Sequence, residues 1–153
     1  MKNILNKLSK IQSKVVSNKD NVNNFGGYGY RTKEGIIADT KPICEEFNCV
    51  LIVSDQAEII GTWQYIKSTA SLVDCETSEQ ISASAYAREP ITQKGLQEPQ
   101  MSGSASSYAG KYALGNLLAI SDSSLDPDAT NTHGKTSKTS RAKKVVDEDD
   151  GLI

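Results

Sequence analysis

Side chains capable of covalent chemistry are scarce in this chain. Its one histidine, His133, stands beside Gly134 in a polar stretch and reads as a solvated residue rather than a base or a metal ligand. Asp126 and Asp128 flank Pro127 like half of a magnesium site, in a segment too polar to preorganise ligands. The three cysteines, Cys44, Cys49 and Cys75, are odd in number and contain no CxxC, so neither a disulfide framework nor a zinc site is expected. They are expected reduced and mostly buried. The sequence has no GxxxxGK[ST] phosphate loop, and no paired-carboxylate, Ser/His/Asp or Cys/His arrangement can be assembled from it. The expectation is a protein that is not an enzyme and uses neither metal nor cofactor.

What the chain does carry is cations near aromatic rings. Phe25-Gly26-Gly27-Tyr28-Gly29-Tyr30-Arg31 is followed by Lys33, Tyr86 stands two residues before Arg88, and Lys111 lies between Tyr108 and Tyr112. Guanidinium and ammonium groups neutralise phosphates, and an exposed ring holds any base by stacking, at roughly 1–3 kcal/mol each. Tyr28, Tyr30 and Tyr86 are the stacking candidates, the alternative being that they seal the edge of a small core. Tyr108 and Tyr112, four residues apart beside Ala105 and Ala109, are expected to pack in the core.

The charges are partitioned. A net charge of -2 and a pI of 5.4 hide seven basic residues against Asp20 in residues 1–33, a local +6. Residues 49–133 hold four basic residues against ten acids, a local -6. Five further bases (Lys135, Lys138, Arg141, Lys143, Lys144) then precede Asp147-Glu148-Asp149-Asp150. Cationic arms around an acidic middle can bind a polyanion despite the acidic pI, or simply keep the arms solvated.

These residues need a scaffold, and 153 residues with 37% hydrophobic content and a mean hydropathy of -0.43 allow one domain with a lean core. No run reaches a membrane span and the lysine-studded start is no signal peptide, so a cytosolic protein without membrane partners is expected. Ile4, Leu8, Ile11 and Val15 recur at helical spacing, with Lys7, Lys10 and Lys14 on a neighbouring strip that can face phosphate or solvent. Residues 17–29 read as a loop. Residues 34–48 read as a kinked helix or two short ones around Pro42. The apolar run 49–53 reads as a buried central strand, with two further strands within 59–74 and 80–88.

In the last of these, Ile81, Ala83, Ala85 and Ala87 share the packed face, while Ser82, Ser84, Tyr86 and Arg88 share the wet one. Trp63, Tyr65 and Lys67 likewise share a face. Residues 89–101, with two prolines and Gly95, read as a loop, and 102–120 as a helix packed over much of its circumference. The expected fold is α+β: helices on one face of a small antiparallel three-stranded meander, occupying residues 1–122, followed by a disordered tail, 123–153, basic and then acidic.

Residues 103–122, GSASSYAGKYALGNLLAISD, resemble the C-terminal signature of the Erf (essential recombination function) family of phage single-strand annealing proteins. Gly103, Ser104, Ala105, Tyr108, Ala109, Lys111, Tyr112, Ala113, Leu114, Leu117 and Ile120 occupy positions matching that signature. The segment from Tyr28 to Arg31, the helix after it and residues 49–53 look like the family's entry segment, first helix and first strand. The chain departs from the pattern at Gly110-Lys111, where the family often has two basic residues. The resemblance implies ATP-independent binding and annealing of single-stranded DNA in phage recombination. It further implies homo-oligomeric rings or filaments and a cytoplasmic location in an infected or prophage-carrying bacterium.

Tyr30, Arg31, Lys33, Arg88, Ser104 and Lys111 are the expected DNA contacts, with Lys7, Lys10 and Lys14 in a second tier. Gly103 and Ser104 at a helix start offer backbone N–H groups to a phosphate, or merely let the helix pack closely. The closing residues Asp149, Asp150, Leu152 and Ile153 resemble the acidic, terminally apolar tip of single-stranded-DNA-binding proteins, which implies docking on single-stranded-DNA-binding or replication proteins or competition with DNA for the chain's own basic surface, the alternative being a solubilising end. The rival reading is a non-annealing adaptor whose arms tether a replication complex.

Overall fold

A computed structural model describes residues 2–19, 21–24, 27–92, 94–95 and 97–120, with the side chains of Asn23 and Tyr28 left out. The tail and its residues Asp149, Asp150, Leu152 and Ile153 lie outside the described residues, as does the side chain of Tyr28.

Helix α1 (Lys2–Lys14) buries Ile4, Leu8 and Ile11, the stripe read from their spacing. Within the segment read as a loop, β1 (Asn21–Asn23) and β2 (Tyr28–Tyr30) pair antiparallel. Three-residue strands rich in Asn and Gly carry no alternation long enough to signal themselves.

Helix α2 (Lys33–Glu46) starts where the Thr32 hydroxyl accepts the Gly35 N–H at 3.0 Å. Division into two helices does not occur: Pro42 sits inside one element, whose buried Ile36, Thr40 and Cys44 hold it against the core. Asn48, at φ 51°, then reverses the chain into the sheet.

Strands β3 (Cys49–Ile60), β4 (Trp63–Asp74) and β5 (Gln80–Arg88) form an antiparallel meander in that order. The register runs from Cys49↔Asp74 to Ile60↔Trp63, closed by a tight turn with Gly61 at φ 65°. The apolar run 49–53 is therefore not central. It opens an edge strand of twelve residues, and β4 takes the middle. Cys49, Leu51 and Val53 face the helices, whereas Val50 and Ile52 stand exposed on the other face. On β5 the predicted alternation holds, with Ile81, Ala83, Ala85 and Ala87 half-buried and the residues between them exposed.

Helix α3 (Glu98–Leu118) begins inside the expected loop, because Pro99 fits a first turn and the Gln100 side chain accepts the Gln97 N–H at 2.9 Å. It ends at Ala119 in the left-handed conformation. Ala113, Leu114, Leu117 and Leu118 join α1, α2, Ala70 and Leu72 in the main core. Ala105 and Ala109 lie with Ile66 in a smaller cluster nearer the start of α3. The result is the α+β architecture of three helices with a three-stranded antiparallel sheet.

A buried polar tie helps to fix α1. Asp74, fully buried, accepts Asn3 Nδ2 at 2.7 Å, Lys7 Nζ at 2.9 Å and the Glu76 N–H at 2.9 Å. Lys7, and then the Glu76 N–H, hold the Asp74 carboxyl below its ordinary value; Asp74 in turn raises Lys7. No buried side-chain nitrogen or oxygen among the described residues lacks a hydrogen-bond partner. No helix among them is long and apolar enough to cross a membrane.

Candidate nucleic-acid interface

Strand alternation places Tyr86 and Arg88 on the sheet face turned away from the helices, and the register sets them opposite Lys67 and Tyr65. The Arg88 guanidinium lies 4.3 Å from the Trp63 ring centre, and Lys67 Nζ lies 5.5 Å from that of Tyr86. Lys67 also meets Glu58 at 3.3 Å, and Tyr86 first, then Glu58, hold its amine above the ordinary lysine value. Further along the same face, Thr69 bonds Ser84 at 2.9 Å and Ser71 bonds Ser82 at 2.8 Å. The wet face thus joins a hydroxyl ladder to an aromatic and cationic end.

Helix α3 adds a third cation and two rings. Tyr108 is 52% exposed and Tyr112 37%, so the expected core role of these tyrosines is corrected. Ala105, Ala109 and Ala113 take the sheet-facing stripe, which turns both rings to the flank. Lys111 Nζ stands 4.7 Å from the Tyr108 ring centre and 5.4 Å from that of Tyr112. Between this flank and the end of β5 lies an open depression of about 290 Å³, lined by Ala87, Arg88, Pro90, Met101, Ser104, Ala105 and Tyr108. Glu89 beside it accepts Gln64 Nε2 at 2.6 Å and the Ser102 hydroxyl, tying the chain after β5 to both β4 and α3.

The structure brings Arg88 and Ser104 together in this depression, with Lys111 further along the same helix. Ser104 lies in the second turn of α3 rather than at its start, because the helix begins at Glu98. Its neighbouring N–H groups are therefore not the open donors of a helix end, which removes the reason for expecting a phosphate there.

The remaining candidates sit elsewhere. Tyr30 is 36% exposed at the end of β2, and Arg31 Nε donates to the Ser17 carbonyl at 2.6 Å. Lys33 crosses α3 at Gly110, where a Cβ would stand 2.5 Å from its Cδ. Its ammonium meets Ser106 Oγ at 3.3 Å and Asp55 Oδ2 at 3.5 Å. Burial pushes the Asp55 carboxyl up, but Ser106, Ser68 and Lys33 outweigh it and leave the group below its ordinary value.

The lysine strip on α1 is likewise divided by its neighbours. Lys7 points inward to Asp74 and Glu76, while Lys10 and Lys14 stand 5.9 and 5.0 Å from the Phe47 ring centre. Lys14 also pairs with Glu46. Among the described residues no cluster of histidine, cysteine, aspartate and glutamate could hold a metal ion.

Sequence reasoning missed Trp63, Tyr108 and Tyr112 as site residues. Trp63 and Arg88 each sit on a wet strand face in the alternation, but only the three-strand register shows that they meet.

The profile of the ERF superfamily matches residues 4–150 of this chain. The "Essential recombination function protein" of Salmonella phage P22 is 38% identical over 139 residues, which cover 91% of this chain and 65% of that protein. No solved structure matches.

Proposed function

The chain belongs to the ERF superfamily, and from that membership and the surface just described we propose that it acts in phage recombination as an ATP-independent single-stranded DNA-binding and annealing protein. The observation that carries this reading is the set of cation–aromatic pairs on and beside β5: Arg88 on Trp63, Lys67 on Tyr86, and Lys111 against Tyr108 and Tyr112. Cations that flank stacking rings serve a polymer of alternating phosphates and bases, without regard to its sequence. Annealing itself needs no bond broken. It needs partial neutralisation of two phosphate backbones and bases left accessible to a complementary strand.

Arg88, Lys67 and Lys111 would contact phosphates, and Trp63, Tyr86, Tyr108 and Tyr112 would stack bases. Assembly into a homo-oligomer belongs to the same proposal, supported by β3 and β5 each having one side unpaired among the described residues. The bacterial cytoplasm as its place of action, and docking of single-stranded-DNA-binding or replication proteins, follow from the same reading.

The test is annealing of two complementary dye-labelled oligonucleotides without ATP, at low and at moderate salt. The expected result is acceleration well above the spontaneous rate, diminishing with salt and lost in Arg88→Ala/Lys111→Ala. Binding without acceleration would instead make the protein a coating or adaptor module.

A further inference from the structure

We propose that the depression between β5 and α3 is a subsite for one unstacked base of single-stranded DNA, an inference that rests on the proposed DNA-binding function. Its floor is apolar: Ala105 and Met101 are 5% and 7% exposed, and Ala87 packs beside them. Its wall is the Tyr108 ring, held out from the helix and half-exposed. Ser104 adds a hydroxyl to the lining, which can bond the edge of a base, while Arg88 borders the depression with its guanidinium held against Trp63 on the opposite face of the sheet. An apolar floor, one ring and a polar group are the composition of a site for a flat, edge-polar ligand.

Size and charge narrow the ligand further. A volume of about 290 Å³ lies just below the ~300–1,000 Å³ typical of small-molecule clefts, room for one planar base rather than a stacked pair. Glu89, which follows Arg88, has both oxygens engaged by Gln64 and Ser102, which directs it to the protein rather than into the cleft.

A base can enter only if it is unpaired, since extruding one from a duplex costs unstacking and unpairing energy. The depression would therefore favour single strands over duplex while leaving neighbouring bases outside it free to pair. One anchored base per protomer would hold the strand in register without masking its sequence.

The experiment compares the full chain's affinity for an oligothymidylate and for an abasic oligonucleotide of equal length and phosphate count, by fluorescence anisotropy at one salt concentration. Wild type is expected to prefer the oligothymidylate by at least tenfold, the scale of one base–aromatic contact being about tenfold. Tyr108→Ala should cut that preference by about tenfold, whereas Tyr108→Phe, which keeps the ring, should retain it in full. Ser104→Leu fills the depression while leaving the ring in place and should cut the preference likewise. Equal wild-type affinities would overturn the subsite and leave the DNA-binding function standing. A preference undiminished by Ser104→Leu would also overturn it, assigning the contact to stacking on open rings. Failure to bind either oligonucleotide at low salt would overturn both the subsite and the function.

Discussion

The Arg88 guanidinium rests 4.3 Å from the ring centre of Trp63, joining the last residue of β5 to the first of β4 across the face that carries no helix. Trp63 is the chain's single tryptophan, so tryptophan emission reports the surroundings of this residue alone. Saturating oligothymidylate should change that emission. Arg88→Ala should alter it without ligand and weaken binding by about tenfold. An emission unmoved by an oligonucleotide that anisotropy shows to be bound would place the strand elsewhere.

Gly110 and Lys33 should be coupled. A methyl at position 110 stands 2.5 Å from Lys33 Cδ, so Gly110→Ala must push the lysine off α3 and away from Asp55 and Ser106. Against that stands the gain of up to about 1 kcal/mol for alanine over glycine in a helix interior. In the Lys33→Ala background the gain should appear whole, and in wild type it should be largely cancelled. Denaturant melts of the four proteins give the coupling directly, and additive effects would show that the lysine moves aside freely.

Asp74 sets an acid limit. Its folded-state carboxyl lies below the unfolded value of about 3.9, because Lys7 and the Glu76 N–H favour the charged form. The contribution is complete above the unfolded value and is lost as pH falls through the folded one. Asp74→Asn should therefore lower Tm by a constant amount from pH 5 to pH 8, and the gap to wild type should close below about pH 4. A gap that persists at pH 2 would mean that Asp74 acts through hydrogen-bond geometry rather than charge.

The cysteines should differ in reactivity by place. Cys75 is exposed, whereas Cys44 and Cys49 are buried, and burial pushes the Cys44 thiol up to about 11. A disulfide reagent at pH 8 should modify one thiol in the native protein and three after denaturation. Prompt native modification of Cys44 would reveal opening of the joint between α2 and β3.

Much of this architecture was written in short-range pattern. Ile4, Leu8 and Ile11, or Ile81 through Ala87, declare their faces through spacing because each needs only one neighbouring layer to bury it. The second half of β3 was hidden, since Ser54, Asp55 and Gln56 carry no apolar signal and are held in the strand by pairing with β4. Edge and centre could not be told apart either, because an apolar run looks the same whether its outer face meets protein or water.

The candidate surface was legible to a similar degree. Arg88, Lys111 and the wet face of β5 followed from alternation and composition. Lys7 misled because Asp74, which draws it inward, lies 67 residues away. Tyr108 and Tyr112 misled because alanines at every fourth position of α3 claim the sheet and leave the rings to the flank.

The anchoring of α1 carries a consequence for synthesis on the ribosome. Asn3 and Lys7 meet Asp74, and Gln12 donates to the Leu117 carbonyl at 2.8 Å, contacts spanning 71, 67 and 105 residues. Because α1 precedes these partners in the chain, its apolar stripe stays incompletely covered until nearly the whole described domain has been made. A helix translated before the elements that bury it is seated late, and for that interval it is a target for a chaperone.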